Sequence, residues 1–170
     1  MEQHRKEIAL KKFRGVITTA TKEGMNAFSK KIRDEIKELA TEPEGVSQDI
    51  ILVKERLLGK IADIVKSNKT FLPDDQNTEV SIGNRVKIKN FDGKNTEEEY
   101  FLDTVSFLEC SDLLNVNSSL GLALFGMKKG EKGIYQKSGR NDMKFQVLEI
   151  YEYSKAVNMS EMSRLEQVAV

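Results

Sequence analysis

Apolar residues recur at a helical period through the first third of the chain and at a strand period through much of the rest. Met25, Phe28, Ile32, Ile36 and Leu39 follow one another at spacings of 3, 4, 4 and 3, which places them on one face of a helix. Lys30, Lys31, Arg33, Asp34, Lys37 and Glu38 cover the remainder, so a helix is predicted over residues 21–40. Gly24 weakens its first turn. The run Thr41-Glu-Pro-Glu-Gly45 ends it, because proline and glycine together stop a helix. A second helix then begins, with Ser47 able to cap it and Val46 able to pack on Ile51 as a hydrophobic staple. Ile50, Leu57, Ile61 and Ile64 form its main stripe, with Val53 alongside, and Ile51, Leu58 and Val65 widen it. The pattern fades at Ser67-Asn68. So short a connection makes the two helices pack antiparallel. Twenty helical residues rise about 30 Å, so the pair is a stubby finger.

Residues 71–79 read as a linker. From Val80 the period changes to two. Val86, Ile88 and Phe91 mark one strand, followed by the hairpin signal Asp92-Gly93. Residues 97–105 mark a second strand, with Tyr100 and Leu102 on the face opposite Glu99 and Phe101. Residues 133–136 and 143–153 mark a third and a fourth, the last with an apolar side (Phe145, Val147, Ile150) that slips once. Between them, residues 118–125 predict a short apolar helix opened by a serine pair and closed by Gly126. Four strands around one short helix make a small α+β module.

The ends are less regular. Residues 1–14 hold five cations and two acids, a net of +3, with a weak stripe of Ile8, Ala9 and Phe13. They read either as a solvated helix frayed at its end or as a basic arm for an acidic partner or RNA. Residues 154–170 could add an amphipathic turn through Met159, Met162 and Leu165. The chain thus divides into a basic extension (1–14), a helical hairpin (15–70), a linker (71–79), a C-terminal domain (80–153) and a tail (154–170).

Composition narrows the chemistry. Of 170 residues 39% are hydrophobic and 32% charged, with 27 Lys+Arg balancing 27 Asp+Glu. A broad nucleic-acid-binding face is disfavoured, since displacing counterions from phosphates needs an excess of cations. Cys110 is the only cysteine and His4 the only histidine. An internal disulfide, a zinc site of the usual ligand types and a Ser-His-Asp or Cys-His catalytic set are therefore not expected. Neither a bilayer-spanning apolar run nor a signal-peptide core is apparent, so a cytoplasmic location is expected.

The order of elements, together with the string Asn-Val-Asn-Ser-Ser-Leu-Gly-Leu-Ala-Leu-Phe-Gly-Met-Lys-Lys-Gly-Glu from Asn115 and the closing Phe-Gln-Val-Leu-Glu-Ile-Tyr from Phe145, resembles the Gre transcript cleavage factors of bacterial RNA polymerase. Val116, Asn117, Ser118, Gly126, Lys128 and Gly130 stand where that family's pattern expects them. The opening Ile-Thr-Thr-Ala-Thr-Lys-Glu-Gly from Ile17 looks like the family's Thr-x-x-Gly entry into its first helix. The resemblance covers roughly residues 17–153. It implies an FKBP-like C-terminal module that docks on the rim of the polymerase secondary channel through Asn117, Ser118 and Ser119. It implies a coiled-coil hairpin that enters the channel near the 3′ end of nascent RNA. It implies no enzyme activity of the chain's own, and no cofactor beyond a magnesium ion shared with the polymerase through acids at the hairpin tip. One ion then activates water while the other steadies the leaving oxygen.

This chain departs from the family in three places. The tip motif Gly-Asp-Leu-x-Glu-Asn-Ala-Glu-Tyr is replaced by residues 41–49, which keep Glu42, Glu44 and Asp49 and no cation, a local charge of −3. These are either solvated turn acids, with Asp49 favoured by a helix N-terminus, or a substitute metal-holding set. The arms are shorter than in the cleavage factors, which also fits shorter-armed relatives such as the regulator of nucleoside diphosphate kinase, thought to bind polymerase without promoting cleavage. Ser119 stands where the family has proline; Asn117, Ser118 and Ser119 either contact a partner or only cap a helix. Two readings outside the family stay open: a prolyl isomerase or chaperone using the FKBP-like module, and an adaptor or homodimer that pairs through the second helix.

Overall fold

The computed structural model describes residues 2–41, 46–107, 112–137, 139 and 141–155. The helical period becomes α2 (Thr19–Leu39) and α3 (Val46–Ser67). Glu35 pairs with Lys54 at 2.5 Å, and Phe28 shares a buried cluster with Ile61, so the two helices run past each other in opposite directions. Strands β1 (Val16–Thr18) and β2 (Lys69–Phe71) flank the helix pair. They align in parallel, Ile17 opposite Thr70, and close its foot. Neither strand was predicted, because three residues are too few to display a period.

Five strands make the larger sheet: β3 (Arg85–Asn90), β4 (Glu97–Asp103), β5 (Leu113–Asn115), β6 (Lys132–Gln136) and β7 (Asp142–Tyr151), in the order β5-β4-β3-β7-β6. Sequence gave four of them a signal; β5, three residues long, had none. The slip along β7 is a bulge. Lys87 faces Glu149 but Ile88 faces Val147, which leaves Leu148 as the extra residue. The protein is thus a mixed α+β fold with a sheet and helices.

The short helix α4 (Ser119–Leu124) packs on the inner sheet face. Val86, Ile88, Leu102, Leu124, Phe145 and Val147 are fully enclosed there. The opposite face, at its Phe101 end, receives the root of the helix pair. Met25, Phe28 and Ile32 pack with Phe101, Phe107 and Tyr153.

Two expectations are corrected. Phe13 is 8% exposed and meets the rings of Phe71 and Phe125 at a tilt and edge-on, so the first residues are tied down at Phe13 and are not a free arm, although none of residues 2–11 is itself buried. They form α1 (Glu2–Lys11), whose Lys6 Nζ donates to the carbonyls of Leu122 and Ala123 at 2.9 and 3.3 Å. A cation is favourable there because the last carbonyls of a helix lack partners. Lys6→Met is expected to cost about 1 kcal/mol, read as a lower denaturant midpoint. Second, Ile50 and Val53 lie outside the packed stripe of α3, at 42% and 63% exposure, and so does Leu52 at 48%. The seam instead takes Lys54, paired with Glu35, so the apolar face ends near Leu57. Residues 72–79 of the expected linker carry no regular structure and are tied to the sheet. Asn84 Oδ1 accepts from the Ser81 N–H, and its amide donates to the carbonyls of Gln76 and Tyr151 at 2.8 and 2.9 Å. No helix among the described residues is long and apolar enough to cross a membrane.

Candidate functional site

The root of the helix pair is held by a buried polar joint. Thr18 ends β1 and caps α2, its hydroxyl accepting from the Thr21 N–H. That replaces one of the bonds a helix start lacks. Asp103, the last residue of β4, is wholly buried. It accepts from the Thr18 N–H at 3.1 Å, the Thr18 hydroxyl at 2.7 Å, the Thr21 hydroxyl at 2.6 Å and the Thr104 N–H at 2.7 Å. Thr104 in turn donates its hydroxyl to the Val16 carbonyl. The Ala20 N–H, a second orphan of the first turn, donates to the Tyr153 hydroxyl at 2.8 Å. Burial raises the Asp103 carboxyl above its usual range, against the pull of the Thr21 and Thr18 donors. Burial likewise raises the Tyr153 hydroxyl. Beside the joint, Arg85 lies within 5.9 Å of the Phe101 ring and 3.5 Å from Asp112 Oδ2.

Sequence reasoning had placed Thr18 and Thr21 in the motif-like opening but had assigned nothing to Asp103 or Tyr153. An acid at a strand end and a tyrosine near the chain's end have no pattern of their own. Only the fold brings residues 18, 21, 103 and 153 together.

The turn before α4 is built from its own side chains. Ser118 caps the helix, accepting from the Gly121 N–H at 3.1 Å, and donates to the Asn115 carbonyl at 2.6 Å. Asn115 Oδ1 accepts from the Asn117 N–H. Ser118 is therefore spent on capping. Ser119, exposed, accepts from the Gln136 N–H at 3.1 Å and so ties the turn to β6. Asn117 presents an exposed side chain at the turn's crest. Gly121 makes the turn fit: a Cβ there would lie 2.2 Å from the Asn115 carbonyl oxygen and 2.8 Å from Val116 Cα. Both are backbone atoms with no freedom to yield. Gly121→Ala is expected to cost about 2 kcal/mol, against about 1 kcal/mol for Gly126→Ala, where φ is +84° and the space is open. Chemical denaturation of the two variants checks the order.

At the other end of the hairpin, Asp49 is exposed in the first turn of α3. Glu42, Glu44, Pro43 and the capping side chain of Ser47 lie outside the described residues, as do Cys110 and residues 156–170. Among the described residues no group of three or more His, Cys, Asp or Glu side chains is close enough to hold a metal ion. Of the predicted tip acids only Asp49 is described, on α3, whereas the predicted contact residues precede and begin α4 on the sheet module.

No family model matches the chain, and no curated protein does. Among solved structures it is similar to the GreA factor homolog 1 (Gfh1) protein of Thermus thermophilus, at 16% identity over 81% of this chain and 99% of that one, with a TM-score of 0.35. It is similar to Thermus aquaticus Gfh1 at 14% identity, 81% and 99% coverage and a TM-score of 0.35. It is also similar to the prokaryotic transcription elongation factor GreA/GreB from Nitrosomonas europaea, at 17% identity, 80% and 96% coverage and a TM-score of 0.37.

Proposed function

We propose that this chain is a bacterial transcription factor that binds RNA polymerase at its secondary channel and modulates elongation. The carrying observation is a division between anchored and free parts. The helix pair is rooted on the sheet module through Asp103, Thr18 and Thr21, and its last buried residue toward the tip on α2 is Ile32, while Ile50, Leu52 and Val53 on α3 stand exposed. In this reading the sheet module is the FKBP-like grip, with Asn117, Ser118 and Ser119 at the contact. The helix pair is the coiled-coil probe that reaches toward the RNA 3′ end. Sequence supports it through the residues around Asn117 and the threonine-rich entry to α2. The chain is no enzyme by itself in this reading. Glu42, Glu44 and Asp49 offer the hard carboxylate oxygens that suit magnesium, which would be shared with the polymerase.

Tagged protein incubated with bacterial core RNA polymerase is expected to be retained at moderate salt; no retention contradicts the proposal. With binding in hand, backtracked complexes separate the two modes. RNA shortening by the wild type that falls at least about tenfold in Glu42→Ala/Glu44→Ala assigns cleavage to the tip acids. Equal shortening by both removes those acids from the mechanism, and binding without shortening assigns the protein to the non-cleaving relatives. Three exposed apolar side chains at 50, 52 and 53 favour one competing reading, an adaptor that pairs through α3. Failure to bind polymerase combined with a concentration-dependent dimer would support it.

A further inference from the structure

The β6 edge of the five-stranded sheet is only partly covered. β6 is the terminal strand of the sheet. The Gln136 N–H points away from β7 and is taken by Ser119 Oγ at 3.1 Å. Backbone groups of a strand alternate in direction, so those of Ile134 and Lys132 share that outward direction, and among the described residues none of them has a hydrogen-bond partner. α4 lies against β6, and among its side chains Ser119 takes an outward N–H, that of Gln136. Below it the edge opens into a cleft of about 1120 Å³ between α1 and β6, floored in part by Leu122 and Met127. Ile134 is 55% exposed and the neighbouring Phe91 38%. Lys89 Nζ and Lys132 Nζ lie 5.9 and 5.8 Å from the Phe91 ring centre, and Lys144, opposite Ile134 in register, lines the same hollow. None of these three ammonium groups has a carboxylate within 4 Å among the described residues. Glu131, the adjacent acid, accepts instead from the Lys128 N–H.

We infer that residues 132–134 are a docking strip for an extended segment of a partner protein, carrying acidic residues two positions to either side of an apolar one and added to the sheet as a further strand. Alternation in such a strand sends every second side chain to one face. Its apolar residue would then meet Ile134 and Phe91, and its acids Lys132, Lys144 and Lys89. The unpaired N–H and C=O groups match a peptide backbone, whereas a phosphate chain could use only the donors. Two ammonium groups already lie over the Phe91 ring, where a nucleobase would have to stack. A second copy of the same strip would bring lysine against lysine. A lone edge lysine ordinarily guards against such pairing; here three lysines surround exposed apolar carbon, which selects an acidic occupant. The inference is independent of polymerase binding.

The test is titration of the uniformly 15N-labelled full chain with a capped Thr-Glu-Thr-Val-Thr-Glu-Thr heptapeptide, in which the valine and both acids share one face, followed by NMR. The Lys132 and Ile134 amide signals are expected to shift most and to saturate. Lys132→Glu/Lys144→Glu is expected to weaken binding about tenfold. Ile134→Pro removes an outward N–H without touching the β7 ladder, and should abolish the shifts at unchanged circular dichroism. Absence of shifts at millimolar peptide overturns the proposal. So does binding undiminished in either variant, and so does a twelve-residue oligouridylate that perturbs the same signals at lower concentration than the peptide.

Discussion

Replacing Asp103 with alanine is expected to lower unfolding free energy by about 3–5 kcal/mol and the melting temperature by about 10 °C. Four donors converge on this carboxylate: the Thr18 and Thr104 N–H groups and the Thr18 and Thr21 hydroxyls. Alanine leaves all four buried without their acceptor, and each lost partner costs part of its desolvation. Removing the carboxylate also removes the cost of burying it, so the loss stays below the sum of four bonds. Thr21→Val, which deletes only one of these donors, should cost about 1 kcal/mol. Differential scanning calorimetry of both variants measures the ratio. Amide exchange should quicken at Ala20 and Thr21 in the alanine variant, because the first turn of α2 loses its anchor.

The same residue gives a pH signature. Burial raises the Asp103 carboxyl above the value of 3.8 it has when exposed, so the folded protein holds its proton more tightly than the unfolded chain. Stability from this group is complete below about 3.8, the unfolded value, and is lost as pH rises through the raised folded value. Asp103→Asn cannot titrate. The stability difference between wild type and Asp103→Asn should therefore be largest in acid and narrow as pH rises. A difference that grows with pH would mean that the hydrogen bonds outweigh burial.

Phe28→Ala is the second large effect, about 3–5 kcal/mol. Phe28 is 1% exposed on α2 and meets Phe107 edge-on, with ring centres 6.2 Å apart. Its ring fills the space between the helix pair and the outer face of the sheet, together with Met25, Ile61 and Phe101. Truncation leaves a cavity in the apolar cluster that joins the helix pair to the outer sheet face. Ile36→Ala, on the same helix face but half-buried nearer the tip, should cost well under half as much. Urea unfolding of the two variants checks this. Equal losses would mean that the tip half is packed as firmly as the root.

Much of the fold could be read in the chain because its long elements repeat. Residues 19–39 place an apolar side chain on one face at every turn, and β3 and the first half of β7 alternate polar with apolar positions. The elements missed are β1, β2 and β5, each three residues long, where alternation and chance look alike. Phe13 was misplaced because α1 buries no residue of its own; its burial depends on Phe71 and Phe125, far away in sequence. The phase of α3 failed at Ile50 and Val53 because apolar residues crowd residues 50–53 on every side of the helix. Only the Glu35–Lys54 pair shows which side faces α2. The serine cap and Gly121 of the α4 turn follow from local rules and could be anticipated. The joint at Asp103 could not, since it assembles from two strands, a helix start and the end of β7.

The most direct measurement is site-specific photocrosslinking to bacterial core RNA polymerase from two positions, Asn117 on the sheet module and Leu52 near the hairpin tip. The proposed reading predicts adducts from both, position 117 to the outer rim of the secondary channel and position 52 to its interior wall. Adducts from neither position, or from position 52 only to the polymerase exterior, would contradict it.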